Sequence, residues 1–219
     1  MTRISDEYGA INLSQGFPDF DPPKAILDRL AEVAYEGPHQ YSITFGAENF
    51  REALAKKQGK AIGREINPET EIVVTCGGTE AMMSAMMTIC NPGDKVMVFS
   101  PFYENYGADA ILSGAEPIYI PLVPPTYEFD INLVEEGFKA GAKALLLCNP
   151  HNPVGRVWTE EELRKLSALC AQYGAKIVAD EIHADFEMPG YHHTPMLTID
   201  PNAVAFVSAT KTFNLAGLR

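Results

Sequence analysis

The sequence predicts an α/β protein with a mostly parallel sheet that helices cover on both faces. From residue 71 onward, short apolar segments alternate with helical patterns. Such alternation is typical of parallel sheets, whose strands are buried on both sides. The predicted strands are 72–75, 95–99, 116–121, 144–148, 176–179 and 204–207. The predicted helices between them are 79–90, 105–113, 132–139 and 159–173.

Composition and charge restrict the class of protein. The chain has 219 residues, of which 46% are hydrophobic and 21% charged, so it can bury a sizeable core. A formal net charge of -12 argues against a nucleic acid or an anionic membrane as partner. We expect a cytoplasmic protein, because we find no signal peptide and no bilayer-spanning apolar run. The four cysteines lack metal-type spacing, and three lie in apolar segments, which favours core packing in a reducing cytosol.

Residues 1–35 are predicted to form an N-terminal arm and a first helix. Residues 11–23 are rich in turn formers, and a helix is expected to begin at Pro23. A further helix is predicted over 48–60, with Phe50, Ala53 and Leu54 at helical spacing. The helix 159–173 begins with a capping box, in which Thr159 caps and Glu162 follows three residues later.

The residues that follow the predicted strands carry the chemistry. In open parallel sheets, ligands bind beyond the carboxyl ends of the strands. After 72–75, the glycine pair Gly77-Gly78 and Thr79 open a helix, and such a helix start suits an anion. The methionines of that helix are interpreted as core filler without a ligand role: Met82, Met83, Met86 and Met87.

Three further strand ends offer an aromatic, an amide and a carboxylate. Tyr103 follows 95–99, and the Asn-Pro pairs of 149–153 enforce a stiff loop that carries Asn152. Asp180 ends a buried strand, where a carboxylate is costly unless a cation pairs with it. Four neighbours are interpreted as supporting residues: Phe102 and Tyr106 as packed aromatics, His151 as a solvated or backing residue, and Glu181 as outward-facing or structurally paired.

Lys211 lies near the end of the chain in an apolar setting. It follows the apolar run 203–207 and precedes small and apolar residues. Loss of hydration favours the uncharged form of an amine, which can form a Schiff base with a carbonyl compound such as pyridoxal phosphate. Ser208 and Arg219 provide a hydroxyl and a fixed cation suited to a phosphate group.

The pattern Ser208-x-x-Lys211, followed by Gly217-x-Arg219, resembles the cofactor signature of the class I/II aminotransferases of fold type I. The resemblance implies that 36–219 form a pyridoxal 5'-phosphate-binding large domain, with Lys211 and Asp180 as catalytic residues. It implies further cofactor contacts from Tyr41, Gly78, Thr79, Tyr103, Asn152, Asp180, His183, Ser208, Lys211 and Arg219.

The resemblance also implies substrates and a partner. An amino acid and a 2-oxo acid would be the substrates, bound by Asn152 and by the backbone N–H of Gly16. Tyr41 would reach the cofactor phosphate of a neighbouring subunit, which implies a homodimer.

Position 183 divides the resemblance. Ordinary aminotransferases carry the pattern Asp-Glu-x-Tyr, whereas this chain has His183 in place of the tyrosine. Together with the stretch 186–195, this histidine is similar to the cystathionine beta-lyase branch. An aminotransferase is the first interpretation, and a carbon-sulfur beta-lyase is the second. No metal site is expected, because His192 and His193 lack further ligands at suitable spacing.

The resemblance covers nearly all of the chain, yet the family continues beyond the lysine. The continuation includes a C-terminal domain and the arginine that grips the substrate carboxylate. We therefore expect a fragment, a truncated gene product or a partial chain with an incomplete large domain. A truncated, non-catalytic module that binds pyridoxal phosphate is the third interpretation.

Overall fold

The computed structural model describes residues 1–14, 16, 18–37 and 39–218. Its helices are α1 (Thr2–Glu7), α2 (Lys24–Glu36), α3 (Glu48–Ile62), α4 (Gly78–Ile89), α5 (Asn105–Leu112), α6 (Ile131–Lys139), α7 (Glu160–Tyr173), α8 (Met196–Ile199) and α9 (Ala209–Thr212). Its strands are β1 (Lys95–Ser100), β2 (Glu116–Val123), β3 (Glu128–Phe129), β4 (Ala142–Cys148), β5 (Lys176–Asp180) and β6 (Val204–Phe206).

The strands form one sheet in the order β3-β2-β1-β4-β5-β6. All neighbouring pairs are parallel except β2 with β3, so the predicted mostly parallel sheet is confirmed. The chain runs outward from β1 to β2 and β3, then returns to β4 and runs outward through β5 to β6. The loops after β1 and β4 therefore leave the sheet in opposite directions, and such a switch point opens a crevice for a ligand.

Two apolar layers cover the two faces of the sheet. Met97 and Phe99 of β1 pack with residues of α6 and α7, whereas Val96 and Val98 pack with residues of α4 and α5. Alternate side chains of one strand are thus buried on opposite faces, which explains why the strands read as continuous apolar runs. Of the four cysteines, Cys90, Cys148 and Cys170 are buried and Cys76 is exposed, and all four are free thiols.

The predicted strand 72–75 was wrong. These residues belong to no strand, and the N–H of Val74 donates to the carbonyl oxygen of Phe45 at 3.0 Å. Ile72 is buried, but no neighbouring strand pairs with the segment within the described part of the chain. The helix α1 and the short antiparallel strand β3 were not predicted.

The predicted helix over 48–60 is confirmed as α3, but Phe50 and Ala53 do not lie on its buried side. Phe50 and Ala53 are exposed, whereas the buried side of the helix carries Arg51, Ala55 and Ile62. The guanidinium of Arg51 donates to the carbonyl oxygen of Gly46 at 3.0 Å. It also donates to the carbonyl oxygen of Pro68 and to the carboxylate of Glu69. Arginine is tolerated at a buried position because these oxygen atoms satisfy its donors.

The methionine prediction for α4 holds in part. Met82 and Met86 lie in the core, but Met83 is half-buried and Met87 is exposed. The helix therefore buries one side and not its whole surface.

The other long helices begin close to the expected positions. None of the 13 residues of α2 is buried, although Leu27, Leu30 and Val33 share one side. The predicted capping box of α7 is present, because Glu162 N–H donates to Thr159 Oγ1 at 3.3 Å and Thr159 N–H donates to Glu162 Oε2 at 2.9 Å. Among the described residues, no helix has the length and apolar character needed to cross a membrane.

Candidate active site

The polar residues at the strand ends meet in one recess at the carboxyl edge of the sheet. Predicted site residues that line it are Gly78, Thr79, Tyr103, Asn152, Asp180, His183 and Lys211. They come from the start of α4, from the loops after β1, β4 and β5, and from α9. The recess therefore lies at the switch point between β1 and β4, where the topology places a ligand.

The start of α4 forms one wall of the recess. Gly77 has φ 86° and ψ 165°, a backbone conformation that only glycine adopts readily. Gly78 and Thr79 follow as the first residues of the helix, where backbone N–H groups have no partner within the helix. The wall thus combines free donors with the positive end of a helix dipole, which suits an anionic group.

Asp180 ends β5, and each of its carboxylate oxygens accepts a hydrogen bond. Oδ1 accepts the backbone N–H of Ile182 at 3.1 Å, and Oδ2 accepts the hydroxyl of Tyr106 at 2.7 Å. Tyr106 is only 3% exposed, so the expectation of a packed aromatic holds. Nothing in the sequence near Tyr106 indicates the bond between its hydroxyl and Asp180.

Tyr103 borders the recess on the side of α5. Its side chain is 39% exposed, and its ring meets the ring of Tyr106 edge-on, with centroids 5.7 Å apart. Phe102 instead stacks on Tyr119 at 5.0 Å, as expected for a packing residue. Of these neighbours, Tyr103 therefore offers a ring face that a planar ligand could contact.

The loop after β4 is fixed by Asn149. This residue is buried; its Oδ1 accepts the N–H of Trp158 at 3.2 Å, and its Nδ2 donates to the carbonyl oxygen of Thr194 at 3.3 Å. Its own N–H donates to the carbonyl oxygen of Asp180 at 2.9 Å. These bonds hold the loop that carries Asn152 against the end of β5.

His151 lies behind the recess and not in solvent, so a solvated position was wrong. The side chain is buried, and Nε2 lies 2.8 Å from the carbonyl oxygen of Pro101. Burial lowers the pKa of His151, so the ring is neutral at pH 7 and Nε2 carries the donated hydrogen. The bond ties the loop after β4 to the loop after β1, which carries Tyr103.

His183 lines the recess together with Asp180 and Lys211. Burial lowers the pKa of His183, the nearby Asp180 raises it, and the ammonium of Lys211 lowers it. The net direction is downward, so the imidazole is neutral at pH 7. A neutral imidazole offers one donor and one acceptor.

Lys211 lies on the short helix α9, whose position is fixed at both ends. The residue is exposed, so the expected loss of hydration was wrong. The side chain of Ser208 caps the helix by accepting the N–H of Thr210 at 3.1 Å. Thr212 donates its hydroxyl to Asp185 at 2.7 Å, and Asp185 pairs with Lys57 at 2.9 Å. Ser208 does not border the recess in the described chain, because its hydroxyl holds this turn.

The structure does not bring every expected residue to the recess. Tyr41 is fully exposed, Gly16 is exposed, and neither lines the recess. Arg219 lies outside the described residues. The arm still approaches the lysine segment, because Asn214 Nδ2 donates to the carbonyl oxygen of Phe20 at 2.6 Å.

Two buried acids lie near the site, and the sequence assigned no role to the first, Asp109. Asp109 lines the recess, and its Oδ2 has no hydrogen-bond partner among the described residues. Burial raises the pKa of Asp109. Glu181 is buried and its Oε1 accepts the N–H of Met196 at 2.6 Å, so the outward-facing alternative was wrong and the structurally paired one holds.

Comparison with known families agrees with this geometry. The family described as aminotransferase class I and II matches residues 8–219. The chain belongs to this family.

As a class I and II aminotransferase family member, the chain resembles proteins of known activity and structure. It is 31% identical over 231 residues to kynurenine--oxoglutarate transaminase 3 of Mus musculus, covering 99% of this chain and 51% of the relative. The structure of N-succinyldiaminopimelate aminotransferase from Mycobacterium tuberculosis superposes with a TM-score of 0.93 at 30% identity, covering 99% of this chain and 58% of that one.

A second solved structure that resembles the chain carries a cofactor. Cystalysin from Treponema denticola, which contains pyridoxal 5'-phosphate, superposes with a TM-score of 0.86 at 29% identity, covering 94% of this chain and 54% of that one. The chain spans about half the length of the curated relatives it matches.

Proposed function

We propose that this chain forms the cofactor-binding part of a pyridoxal-phosphate-dependent aminotransferase that acts on L-amino acids and 2-oxo acids. One observation carries the proposal: Lys211 and Asp180 line the same recess as the helix start at Gly78. Lys211 is the single lysine among the described lining residues. An amine, a carboxylate and an anion-binding helix start thus converge in one place.

The chemistry of the lining groups fits pyridoxal phosphate. The first turn of α4, with Gly78 and Thr79, would hold the phosphate through backbone N–H groups. Asp180 would pair with the protonated ring nitrogen, since a half-buried carboxylate at a strand end calls for a cation. Asn152 would donate its amide to the ring oxygen, and the exposed face of Tyr103 would cover the ring.

The residues of the chain divide the work of amino-group transfer. When bound, pyridoxal phosphate supplies a carbonyl carbon and a ring that withdraws electrons from the reacting carbon. Nζ of Lys211 would hold the cofactor through its carbonyl carbon, with loss of water. Once the amino acid has displaced it, Nζ would accept the α proton as a general base and return a proton as a general acid. The negative charge of Asp180 would keep the proton on the ring nitrogen.

A carbon-sulfur beta-lyase is the second candidate function. His183, which lines the recess, favours this alternative because ordinary aminotransferases have a tyrosine at this position. The two functions differ in their products. Release of pyruvate from L-cystathionine without keto-acid exchange would support the lyase, and amino transfer to 2-oxoglutarate would support the aminotransferase.

The proposal includes a cytoplasmic homodimer. The full exposure of Tyr41 is expected for a side chain whose partner belongs to a neighbouring subunit. Sedimentation of the protein tests the dimer, and a monomer at working concentration would contradict it.

Borohydride reduction in the presence of pyridoxal phosphate, followed by peptide mass mapping, tests the covalent attachment. We expect the label on the peptide that contains Lys211 and its loss in Lys211→Ala. Lys165→Ala, which removes an exposed lysine of α7, is the matched control and should retain the label. A label on another lysine would refute the assignment of Lys211, and an unlabelled protein would refute cofactor binding.

A further inference from the structure

We propose that Tyr106 is a positioning residue that aims the carboxylate of Asp180 into the recess, and that Tyr106 and Cys148 join Asp180 to the loop that carries Asn152. The inference rests on the proposed function, since it concerns how the chain holds the ring of pyridoxal phosphate. It assigns a role to a buried layer beneath the recess.

The orientation of Asp180 depends on two donors from different parts of the chain. The N–H of Ile182 lies two residues away, whereas the hydroxyl of Tyr106 comes from α5, 74 residues earlier. With one donor on each oxygen, rotation of the carboxylate would break a hydrogen bond. A carboxylate has about four acceptor positions, so further positions stay available to a ligand.

Tyr106 remains a donor across the physiological pH range. Burial raises the pKa of Tyr106, and the negative charge of Asp180 raises it further. A neutral phenol that donates to a carboxylate forms a charge-assisted hydrogen bond, which is stronger than a bond between neutral groups. The layer therefore supplies a permanent donor to Asp180.

Cys148 extends the layer from Tyr106 to the loop after β4. Its thiol neighbours the hydroxyl of Tyr106, and burial raises the pKa of Cys148 to about 12, so it is a thiol at pH 7. Sγ accepts the backbone N–H of Asn152 at 3.4 Å, and the thiol donates to the carbonyl oxygen of Pro150 at 3.1 Å. The residue beside Tyr106 thus fixes the backbone of the loop that would bind the ring oxygen.

The turn from Tyr103 to Tyr106, which leads into α5, links two residues that would position the ring of the cofactor. Tyr106 N–H donates to the carbonyl oxygen of Tyr103 at 3.0 Å, and the two rings meet edge-on. The turn that presents Tyr103 to the ring face therefore also presents Tyr106 to Asp180. Movement of α5 would change both contacts together.

Tyr106→Phe keeps the packed ring and removes only the hydroxyl. Because a hydrogen bond to a charged group is lost, we expect kcat to fall about 10- to 150-fold. We expect KM for the amino acid to change less than about 3-fold, since Tyr106 would not touch the substrate. The ¹⁵N resonance of ring-labelled pyridoxal phosphate should also move toward that of the unprotonated ring, because Asp180 is less firmly placed.

Tyr173→Phe is the matched control. Tyr173 also donates its hydroxyl to a carboxylate, that of Glu135 at 2.9 Å, but it joins α7 to α6 and does not line the recess. We expect the ¹⁵N resonance of the cofactor bound to Tyr173→Phe, and the kcat of this variant, to match the wild type. A similar fall in kcat and a similar ¹⁵N shift in Tyr106→Phe and Tyr173→Phe would indicate a general loss of stability and would overturn the inference.

A second variant tests the layer independently of Tyr106 and serves if Tyr106→Phe does not fold. Cys148→Ala removes the acceptor for Asn152 N–H, so the absorption maximum of the bound cofactor should shift, whereas Cys170→Ala, another buried thiol, should leave it unchanged. If Tyr106→Phe folds, wild-type spectra from both variants would overturn the inference. If Tyr106→Phe does not fold, a wild-type spectrum from Cys148→Ala alone would overturn it. In either case the proposed function would stand. Failure of the wild type to bind pyridoxal phosphate would refute the proposed function and the inference with it.

Discussion

Glu181 and His193 form a buried pair in which Oε1 of the glutamate lies 3.9 Å from Nε2 of the histidine. This distance is too long for a hydrogen bond. Burial raises the pKa of Glu181 to about 7 and lowers the pKa of His193. Both shifts favour the uncharged forms, so burial dominates the attraction between the opposite charges.

Glu181→Gln should therefore alter the pH dependence of stability. A carboxyl group whose folded-state pKa is raised contributes stability below its unfolded value of 4.5, and the contribution is lost as pH rises to about 7. Glutamine does not ionise, so between pH 4.5 and about pH 7 we expect the free energy of unfolding of the variant to rise by about 1–3 kcal/mol relative to the wild type. Chemical denaturation across this range measures the gain. Glu136→Gln, at an exposed position of α6, is the control, and equal pH profiles for Glu181→Gln and wild type would contradict the prediction.

Gly77 and Gly78 should respond differently to alanine. Gly77 has φ 86°, whereas a Cβ on Gly78 would meet only Ile182 Cδ1, at an ordinary contact distance of 3.7 Å. We expect Gly77→Ala to lower the free energy of unfolding by about 1–3 kcal/mol. Gly78→Ala should change it by less than about 1 kcal/mol, because alanine favours the helix. Urea denaturation measures both, and equal losses would show that backbone strain is not the cause.

Asn149→Ala should destabilise the loop after β4. The change leaves the N–H of Trp158 and the carbonyl oxygen of Thr194 without their partner in a buried setting. We expect a loss of about 2–4 kcal/mol in the free energy of unfolding. Asn132→Ala, at an exposed position of α6, should cost less than about 1 kcal/mol. Thermal or urea unfolding gives both values, and a loss at Asn149 no larger than at Asn132 would argue against the network.

Asp180→Asn should separate cofactor binding from turnover. The amide oxygen can still accept the N–H of Ile182 and the amide NH2 can donate to the hydroxyl oxygen of Tyr106, but the side chain carries no charge to hold a proton on the ring nitrogen. We expect most of the cofactor to remain bound and kcat to fall about 100-fold or more, the size expected when a buried ion pair is broken. Absorption titration and steady-state kinetics measure the two effects, and near-normal turnover would count against the electron-withdrawing role of the ring.

The sequence predicts the sheet well because its strands are buried on both faces. An apolar run such as 144–148 is expected when a strand is buried on both faces. Because the strands are parallel, the motifs that follow them lie at one edge of the sheet. The run 72–75 has the same local signal, yet it has no strand beside it in the described chain. Apolar character records burial, whereas strand formation also needs a neighbour that composition does not reveal.

Partners distant in sequence were the other source of error. The ring of Tyr106 predicts packing, but nothing near position 106 indicates that its hydroxyl meets Asp180. Arg51 reads as a surface residue of α3, although backbone oxygens on two loops accept its donors. Hydrogen bonds of this kind follow from the assembled fold and leave no periodic pattern in the chain.

The bond between Asn214 and the carbonyl of Phe20 joins positions 194 residues apart. Chains are synthesised from the N-terminus, and contacts of large sequence separation incur a loop-closure entropy cost before they add stability. Phe20 therefore cannot make this contact until the chain as far as residue 214 has emerged and folded. During translation, a protease that cleaves near Phe20 would act until the lysine segment arrives.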